Sequence, residues 1–310
     1  MPGSPPQTGL KNEEGVSVVL GVERPLGRVL ADKLASESRK VRAVYLERKA
    51  GEEGAIEGTQ TVIIDPSEAF NVTEACGGAS VVYDCYEPNY SDWKRTWPLV
   101  TSNVVLAAIE VNATIVFASY LLNSETENQR QEAEVMKAHN SGLIKAVITR
   151  VPQLMGTRVE NPLWKLIYEA VLAGKKAHWV GDPDISRSLL DVEDAAAAMT
   201  EVAAVPTLSG RTFGVASPAT LTGRQFIELA FRAVNRKPEV GSWGRGIVLT
   251  GSLFAPEARE VLKMPYDYYK QFQVNGKDFA DALPSFHFTP PELSVAKGLG
   301  WYRDHVLVPP

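Results

Sequence analysis

The sequence has few of the residues that form metal sites and disulfide frameworks. Its 310 residues include two cysteines and four histidines. The histidines are scattered, without a pair at the spacing of metal ligands, so no metal site is expected. Cys76 and Cys85 lie near a predicted strand. This favours small buried side chains, with a disulfide as the lesser alternative in a chain of cytoplasmic character.

Excess positive charge and long apolar runs are also absent. The formal net charge is −5, which argues against a nucleic-acid surface, because phosphate binding needs a basic stripe. No apolar run reaches the roughly 18 residues that span a bilayer. Residues 1–15 lack the cationic and apolar pattern of a signal peptide and are expected to be a disordered tail. We therefore expect a cytoplasmic protein that binds neither nucleic acid nor membrane.

The most informative segment that is present begins with an apolar, β-branched run, Val16–Leu20. The run stops at Gly21, and Gly27 opens a segment with helical spacing. This order is typical of a dinucleotide-binding fold, in which the first glycine permits the turn and the last lets the helix pack closely on the strand. The helix N-terminus then faces a pyrophosphate. Because Arg24 stands where a middle glycine is usual, an ordinary βα turn is the alternative.

Further strands alternate with helical segments along the next hundred residues. The predicted strands are Val41–Tyr45, Thr61–Asp65, Ala79–Tyr83, Ala113–Ser119 and Leu143–Thr149. A long helix is predicted over 92–111, with an inner face formed by Leu99, Val104, Leu106 and Ile109. Buried strands that alternate with helices predict an α/β fold with a Rossmann-type, doubly wound parallel sheet.

The alternation loosens after about residue 156. We expect the dinucleotide-binding domain to span 16–155, with 183–216 returning to it through a strand at 186–194, a helix at 195–204 and a strand at 212–215. A helix is predicted over 161–173. The segments 156–182 and 217–310, the latter broken by many prolines, are expected to form a smaller substrate-binding lobe over the carboxyl edge of the sheet.

Several short motifs, in this order and spacing, resemble the extended short-chain dehydrogenase/reductases of the NAD-dependent epimerase/dehydratase group. The resemblance runs from about Val16 to the C-terminus. The motifs are Gly21 with Gly27, Asp65 after the third strand, Asn103 on the long helix, Phe117-Ala-Ser119, Arg150-Val-Pro152 with Gly156, Asp191-Val-Glu-Asp194 and Leu299-Gly-Trp301. The resemblance implies the Rossmann fold, a nicotinamide dinucleotide cofactor and a small-molecule substrate. The sequence leaves the oligomeric state open, with a homodimer as one possibility, since helix 92–111 lies where related proteins often pair into dimers.

The chain departs from this family at the catalytic pair. The family uses a Tyr-x-x-x-Lys pair on the helix after strand five, and no such pair occurs at that place in this chain. Aligning Glu134 with the family's helix glutamate places Thr126 at the tyrosine position and Arg130 at the lysine position. Threonine cannot act as an acid near pH 7, although arginine can hold a ribose hydroxyl.

The family's catalytic serine or threonine position falls on Tyr120, with Ser119 just before it. One interpretation is that the Tyr120 phenol is a relocated acid, assisted by Arg130 or Lys137. The other is that the Tyr120 ring packs over the cofactor as a wall. Asp84, at the end of strand four, is a candidate base or a turn-forming residue.

The resemblance also gives a set of cofactor-binding residues. They are Gly21, Arg24, Pro25, Leu26, Gly27, Arg48, Asp65, Tyr83, Asn103, Val151 and Pro152. The charges of Arg24 and of Arg48 with Lys49 favour NADP, since a cation there meets the 2′-phosphate. Glu47 favours NAD, because a carboxylate there holds the free ribose hydroxyls. The balance predicts NADP, with NAD as the alternative, unless all of these are solvated surface charges.

We therefore expect an NAD(P)-dependent oxidoreductase that acts on a small, mostly apolar carbonyl or alcohol. The alternative is a non-redox protein on the same fold. It would be a cofactor-sensing protein without turnover, or a lyase, cyclase or epimerase that reuses the pocket.

Overall fold

A computed structural model of the chain describes residues 15–46, 55–87, 93–121, 125–217, 219–251 and 270–307, with the single positions 253, 259 and 262. The side chains of residues 93, 125–127 and 251 are not among those described. Over this part of the chain, every helix falls short of the length and apolarity that a bilayer crossing needs.

The described strands are numbered in chain order. They are β1 (Val16–Leu20), β2 (Val41–Tyr45), β3 (Thr59–Ile63), β4 (Ala79–Asp84), β5 (Thr114–Tyr120), β6 (Lys145–Val151), β7 (Gln153–Met155), β8 (Ala177–Val180), β9 (Ser186–Arg187), β10 (Leu189–Asp191), β11 (Thr212–Gly214), β12 (Leu221–Thr222) and β13 (Val240–Trp243).

The described α-helices are numbered in the same way. They are α1 (Pro25–Ser36), α2 (Ala69–Cys76), α3 (Trp93–Val111), α4 (Glu125–Asn140), α5 (Pro162–Leu172), α6 (Val192–Ala204), α7 (Gly223–Ala233), α8 (Arg245–Gly251), α9 (Lys277–Ala282) and α10 (Pro291–Tyr302). A short 3₁₀ turn spans Pro206–Leu208, and a π-helical turn spans Arg303–Leu307.

Seven strands form one parallel sheet in the order β3-β2-β1-β4-β5-β6-β11. Helix α1 packs against α6, while α2 packs against α3 and α3 against α4. From β1 the sheet extends through β2 and β3 on one side and through β4, β5 and β6 on the other. Because the crossovers between parallel strands are right-handed, the two helix layers lie on opposite faces of the sheet. The central strands are therefore buried on both sides, as the β1 pattern shows. The predicted doubly wound parallel sheet is confirmed.

Two element boundaries differ from the sequence prediction, because hydrogen bonds to aspartate side chains determine where these elements end or begin. Strand β3 spans 59–63 rather than 61–65, since the Asp65 carboxylate accepts hydrogen bonds from the Ser67 backbone and hydroxyl and turns the chain. Helix α6 begins at Val192 rather than 195, because the Asp191 carboxylate accepts from the Glu193 N–H at 2.8 Å and caps the helix.

The predicted inner face of α3 is wrong at two positions. Leu99 and Leu106 are 46% and 53% exposed, whereas Val104 is buried and Ile109 half-buried. Leu99 and Leu106 are two turns apart and so share a face, and that face is turned away from the sheet. The buried side of α3 uses Trp97, Val100, Thr101, Asn103, Val104, Val105, Ala107 and Ala108.

A second apolar cluster lies apart from the main core and includes residues of α5, β8, α7 and α10. The rings of Trp164 and Phe226 stack at its centre, with centroids 4.4 Å apart. The sequence assigned all of 217–310 to the smaller lobe. The structure instead packs Phe279, on α9, in the main core, where its ring meets that of Phe213 edge to face.

Candidate functional site

The carboxyl ends of the parallel strands meet at one edge of the sheet. The loop after β1, the residues after β2 and β3, and the ends of β4, β5 and β6 all lie there. The strand order reverses between β1 and β4, and open α/β sheets bind their ligands in the crevice at such a switch point. This edge is therefore the candidate site.

The loop after β1 has the tight packing that a dinucleotide-binding turn requires. Gly21 has φ +80°, a conformation that favours glycine. A Cβ atom at Gly27 would lie 2.3 Å from the Gly21 carbonyl oxygen, so only glycine lets α1 pack this closely. Pro25 starts α1, whose N-cap Arg24 makes no side-chain cap. The first N–H groups of the helix therefore remain available to an anion.

Arg24 and its neighbour Glu23 give this loop two adjacent side chains of opposite charge. The Glu23 carboxylate accepts a hydrogen bond from the Leu46 N–H, 3.1 Å away, just after β2. The positive charge of Arg24 acts on the Tyr120 hydroxyl at the end of β5, where it works to lower that group's pKa. Sequence reasoning missed Glu23, since the contact with Leu46 joins residues far apart in the chain.

A cavity of about 600 Å³ opens beside the ends of β2 and β3. It is lined by Leu46, Ile63, Ile64, Asp65, Pro66, Ser67, Asn71, Tyr86, Thr96, Leu99 and Val100. The walls are mostly apolar, with a few polar groups at one side. A concave, largely apolar site of this size with a few polar groups is typical of small-molecule pockets.

Asp65 and Asn103 shape the polar side of this cavity. Hydrogen bonds from the Ser67 hydroxyl and backbone hold the pKa of the Asp65 carboxyl below its usual value. The Asn103 side-chain amide donates to the carbonyl oxygens of Pro66 at 2.8 Å and Ser67 at 3.1 Å. Asn103 therefore fixes the position of the loop that carries Asp65. Residues of that loop line the cavity, whereas Asn103 supports it from outside.

The end of β4 carries a buried carboxyl group. Asp84 accepts a hydrogen bond from the Tyr86 N–H at 3.0 Å, and burial raises the pKa of Asp84 to about 7. The pKa of the preceding Tyr83 is raised to about 12 by burial, and the charges nearest its phenol are those of Arg39 and Glu37. Glu37 and Arg39 follow the C-terminal end of α1, and that end lies about 18 Å along the helix from the glycine loop. The structure therefore does not bring the Tyr83 hydroxyl to the cofactor side of the edge.

Tyr120 is buried at the end of β5 and is bonded within the protein. Its hydroxyl donates to the Cys85 carbonyl oxygen at 2.9 Å, and its own carbonyl accepts from the Asn128 side-chain amide on α4. Burial, with the nearby Cys85, Glu87 and Asp84, raises the Tyr120 pKa well above its usual value. This geometry favours the wall interpretation of Tyr120 over the relocated acid.

Ser119 belongs to a second bonded group. Its hydroxyl donates to Glu132 Oε1 at 2.6 Å. Arg150, on β6, donates to the same carboxylate through Nε at 2.8 Å and Nη2 at 2.5 Å. A two-pronged guanidinium–carboxylate contact is among the strongest side-chain hydrogen bonds. This group, called here the Ser119–Glu132–Arg150 network, joins β5, β6 and α4.

The network contains the buried glutamate of α4. That residue is Glu132, whereas Glu134, on which the placement of Thr126 and Arg130 depended, is half-buried. Arg130 has an exposed side chain on α4.

The remaining candidates are placed as follows. The side chain of Thr126 lies outside the described residues, and so does Arg48. Leu26 packs in the core. Val151 and Pro152 are buried at the end of β6, where the Val151 carbonyl accepts from the Leu121 N–H. In the part of the chain that is described, no three acidic, histidine or cysteine residues cluster to hold a metal ion.

Solved structures that share this fold include several nucleotide-sugar epimerases. The UDP-glucose 4-epimerase of Thermus thermophilus, solved with NAD, matches with a TM-score of 0.73 at 15% identity over 94% of this chain and 100% of that one. The fold is that of these epimerases. WbmH of Bordetella bronchiseptica, in complex with NAD⁺, matches with a TM-score of 0.69 at 18% identity, covering 94% and 99% of the two chains.

The UDP-glucuronic acid 4-epimerase of Bacillus cereus, with NAD, has a TM-score of 0.73 at 12% identity, covering 93% of this chain and 99% of that chain. No family model matches this chain, and no curated protein matches it. Its epimerase fold is therefore established by structure, and the fold that the sequence resemblance implied is confirmed.

Proposed function

We propose that this chain binds an NAD-class dinucleotide along the carboxyl edge of its sheet and holds it without turning over a substrate. The observation that carries the binding proposal is the contact at Gly27, where a Cβ would meet the Gly21 carbonyl oxygen at 2.3 Å. That contact holds the N-terminus of α1 at the edge, in the position from which helix N–H groups bind a pyrophosphate.

The residues of the edge fit such a cofactor in two places. The cavity beside Leu46 and Asp65 offers apolar walls for a purine and oxygen atoms for its polar edge and ribose. The N-terminus of α1 offers N–H groups and the favourable end of the helix dipole for the two phosphates. The Arg24 guanidinium, on the same turn, adds a positive charge suited to phosphate.

The second half of the proposal rests on the end of β5. When bound, the nicotinamide can supply or accept a hydride. For a carbonyl or alcohol substrate, the protein must also move a proton at the reacting oxygen. The Tyr120 hydroxyl is bonded to the Cys85 carbonyl, and the Ser119 hydroxyl is bonded to Glu132. Both hydroxyls at this strand end thus serve internal contacts, which favours binding without turnover.

Hydride transfer to a small, mostly apolar carbonyl or alcohol is the second candidate function. Asp84 is the observation that favours it, because a carboxyl group with a pKa of about 7 can give and take a proton near neutral pH. Asp84 lies at the end of β4, next to Cys85, so it is close to the edge where a substrate would stand. In this case Asp84 would be the acid or base.

A binding experiment and a turnover experiment separate the two functions. Calorimetry with NADH and NADPH on the purified chain is expected to give saturable binding, which Gly27→Val abolishes. Nicotinamide absorbance is then followed with a panel of apolar ketones, aldehydes and alcohols. Binding without a change in absorbance supports the proposal. Turnover that Asp84→Asn removes establishes the second function instead, and absence of binding overturns both.

A further inference from the structure

The glycine loop carries two adjacent residues of opposite charge, and its docking fixes where each charge lies. The Gly21 and Val22 N–H groups both donate to the Val44 carbonyl oxygen, at 3.0 and 3.3 Å. The loop therefore lies along the end of β2. From there the Glu23 carboxylate reaches the Leu46 N–H at 3.1 Å, which holds its negative charge at the carboxyl end of β2.

The positive charge of the loop acts on a strand end farther along the edge. Arg24 works to lower the pKa of the Tyr120 hydroxyl, at the end of β5, on the other side of β1 and β4 from β2. The Glu23 charge also acts on the Cys85 thiol after β4, where it raises the pKa. What distinguishes Glu23 is its hydrogen bond with the backbone at the end of β2, which ties its carboxylate to that strand.

Glu23 borders the cavity that suits the adenosine half. Its hydrogen-bond partner Leu46 is one of the cavity-lining residues, together with Asp65. In Rossmann folds, a carboxylate near the end of the second strand accepts hydrogen bonds from the free ribose hydroxyls, and NADP carries a phosphate on one of them. A carboxylate offers about four acceptor positions, so the bond from Leu46 leaves Glu23 able to accept from a ribose as well.

We propose that Glu23 is the ribose-recognising residue of this chain and that it selects NAD over NADP. The inference rests on the proposed dinucleotide site and adds the cofactor class to it. It reverses the sequence prediction of NADP, which counted Arg24 as a contact of the 2′-phosphate. The residue that sets the preference is then Glu23, whereas the charges weighed from the sequence were those of Arg24 and of residues 47–49.

The test compares the affinities of NADH and NADPH by calorimetry for the full chain and two variants. Glu23→Gln keeps an oxygen that can accept from the Leu46 N–H and removes only the charge. Glu37→Gln, at the other end of α1, is the control. Because juxtaposed like charges are strongly penalised in a binding site, the wild type and the control are expected to prefer NADH by at least about tenfold. In Glu23→Gln the preference should fall to within about threefold, mainly through tighter NADPH binding.

Each other outcome overturns the inference. A wild type that binds both dinucleotides equally, or prefers NADPH, contradicts the role of Glu23 but leaves the dinucleotide site intact. An unchanged preference in Glu23→Gln does the same. A wild type that binds neither overturns the proposed function, and this inference with it.

A measurement on the wild type covers the case in which Glu23→Gln does not fold. Raising the ionic strength from about 0.01 to 1 M shortens the screening length from about 30 to 3 Å. A preference based on charge repulsion must shrink over that range. A preference that is independent of salt contradicts the inference.

Discussion

Along the carboxyl edge of the sheet, the ends of β2 and β3 border a cavity of about 600 Å³, whereas the ends of β4, β5 and β6 are tied by internal hydrogen bonds. In the first region the polar side chains line a space that is large enough for a nucleoside. In the second, the Tyr120 hydroxyl, the Ser119 hydroxyl and the Glu132 carboxylate contact the protein itself. We call these the nucleoside half and the reaction half of the edge.

The difference shows that the two halves of one ligand-binding edge can change independently. The nucleoside half depends on backbone geometry, on glycines and on one loop, which the fold itself supplies. The reaction half depends on particular side chains at β5 and α4, which can be replaced without loss of the fold. In this chain the first set lines an open cavity, and the Ser119 and Tyr120 hydroxyls of the second set are bonded to Glu132 and to the Cys85 carbonyl.

The largest expected effect is a loss of NADH affinity when the nucleoside half is disrupted. Gly27→Val is expected to weaken NADH binding by about 100-fold or more, because overpacking costs up to ~3 kcal/mol and 1.4 kcal/mol is tenfold. The added side chain would press α1 away from the Gly21 carbonyl. Calorimetry measures the loss. Gly300→Val is the control, since no atom lies within 4 Å of a Cβ there, and equal loss in both variants contradicts the role of the loop.

The next largest effect concerns Asp84, in the reaction half, and appears as a dependence of the free energy of unfolding on pH. The Asp84 pKa of about 7 exceeds the ordinary value of 3.8, so the unfolded chain releases this proton at a lower pH than the folded chain. The contribution of Asp84 to stability therefore declines as the pH rises from about 4 to 7 and then levels off. Asp84→Asn removes this decline.

Urea unfolding across the pH range tests that expectation. From about pH 4 to 8 the stability of Asp84→Asn should gain on that of the wild type by on the order of 3 kcal/mol. Asp65→Asn changes stability in a different window and with the opposite sign: the pKa of Asp65 lies below 3.8 in the folded state, so its contribution is lost only as the pH falls below that value. Parallel curves for the wild type and Asp84→Asn would show that Asp84 is not protonated in the folded protein at neutral pH.

A smaller effect separates Glu132 from Glu134. Glu132→Ala leaves Ser119 and Arg150 without their shared carboxylate, so we expect a loss of about 2 kcal/mol in the free energy of unfolding, in line with buried hydrogen bonds to charged groups. Glu134→Ala, on the same helix but half-buried, should cost less than ~0.5 kcal/mol. Equal losses in urea unfolding would contradict the role of Glu132 in the Ser119–Glu132–Arg150 network.

The smallest effect concerns Tyr120. Tyr120→Phe keeps the ring and removes the hydroxyl bonded to Cys85, so we expect a loss of about 1 kcal/mol in stability. NADH affinity should change by less than about threefold, since 1.4 kcal/mol is needed for a tenfold change. If a substrate is found, a 100-fold loss of turnover in this variant is the sign of general acid catalysis and would restore the relocated-acid interpretation.

The sequence predicted the sheet well because its signals are local. Apolar runs that end at Gly21 or before Asp65 mark strands directly, and Asn161 marks the start of α5 by capping it, as the structure shows. The inner face of α3 was harder to predict, because Leu99 and Leu106 are as apolar as Val104 and only packing decides which side is buried.

The site contacts were less predictable for a related reason. Glu23 meets Leu46 and Glu132 meets Arg150 across 23 and 18 positions of the chain, and no short motif marks either pair. Tyr83 looked suitable by its position near the end of β4. Its phenol extends back toward Arg39, a direction that the sequence does not encode locally.

The most direct test of the comparison measures which half of the cofactor the edge binds. Calorimetry with NADH, ADP-ribose and nicotinamide mononucleotide separates the nucleoside half from the reaction half. We expect ADP-ribose to bind within about tenfold of NADH, a difference of ~1.4 kcal/mol, and the mononucleotide to bind far more weakly than either. Tight binding of NADH together with negligible binding of ADP-ribose would contradict the account, because the affinity would then come from the half that the internal hydrogen bonds occupy.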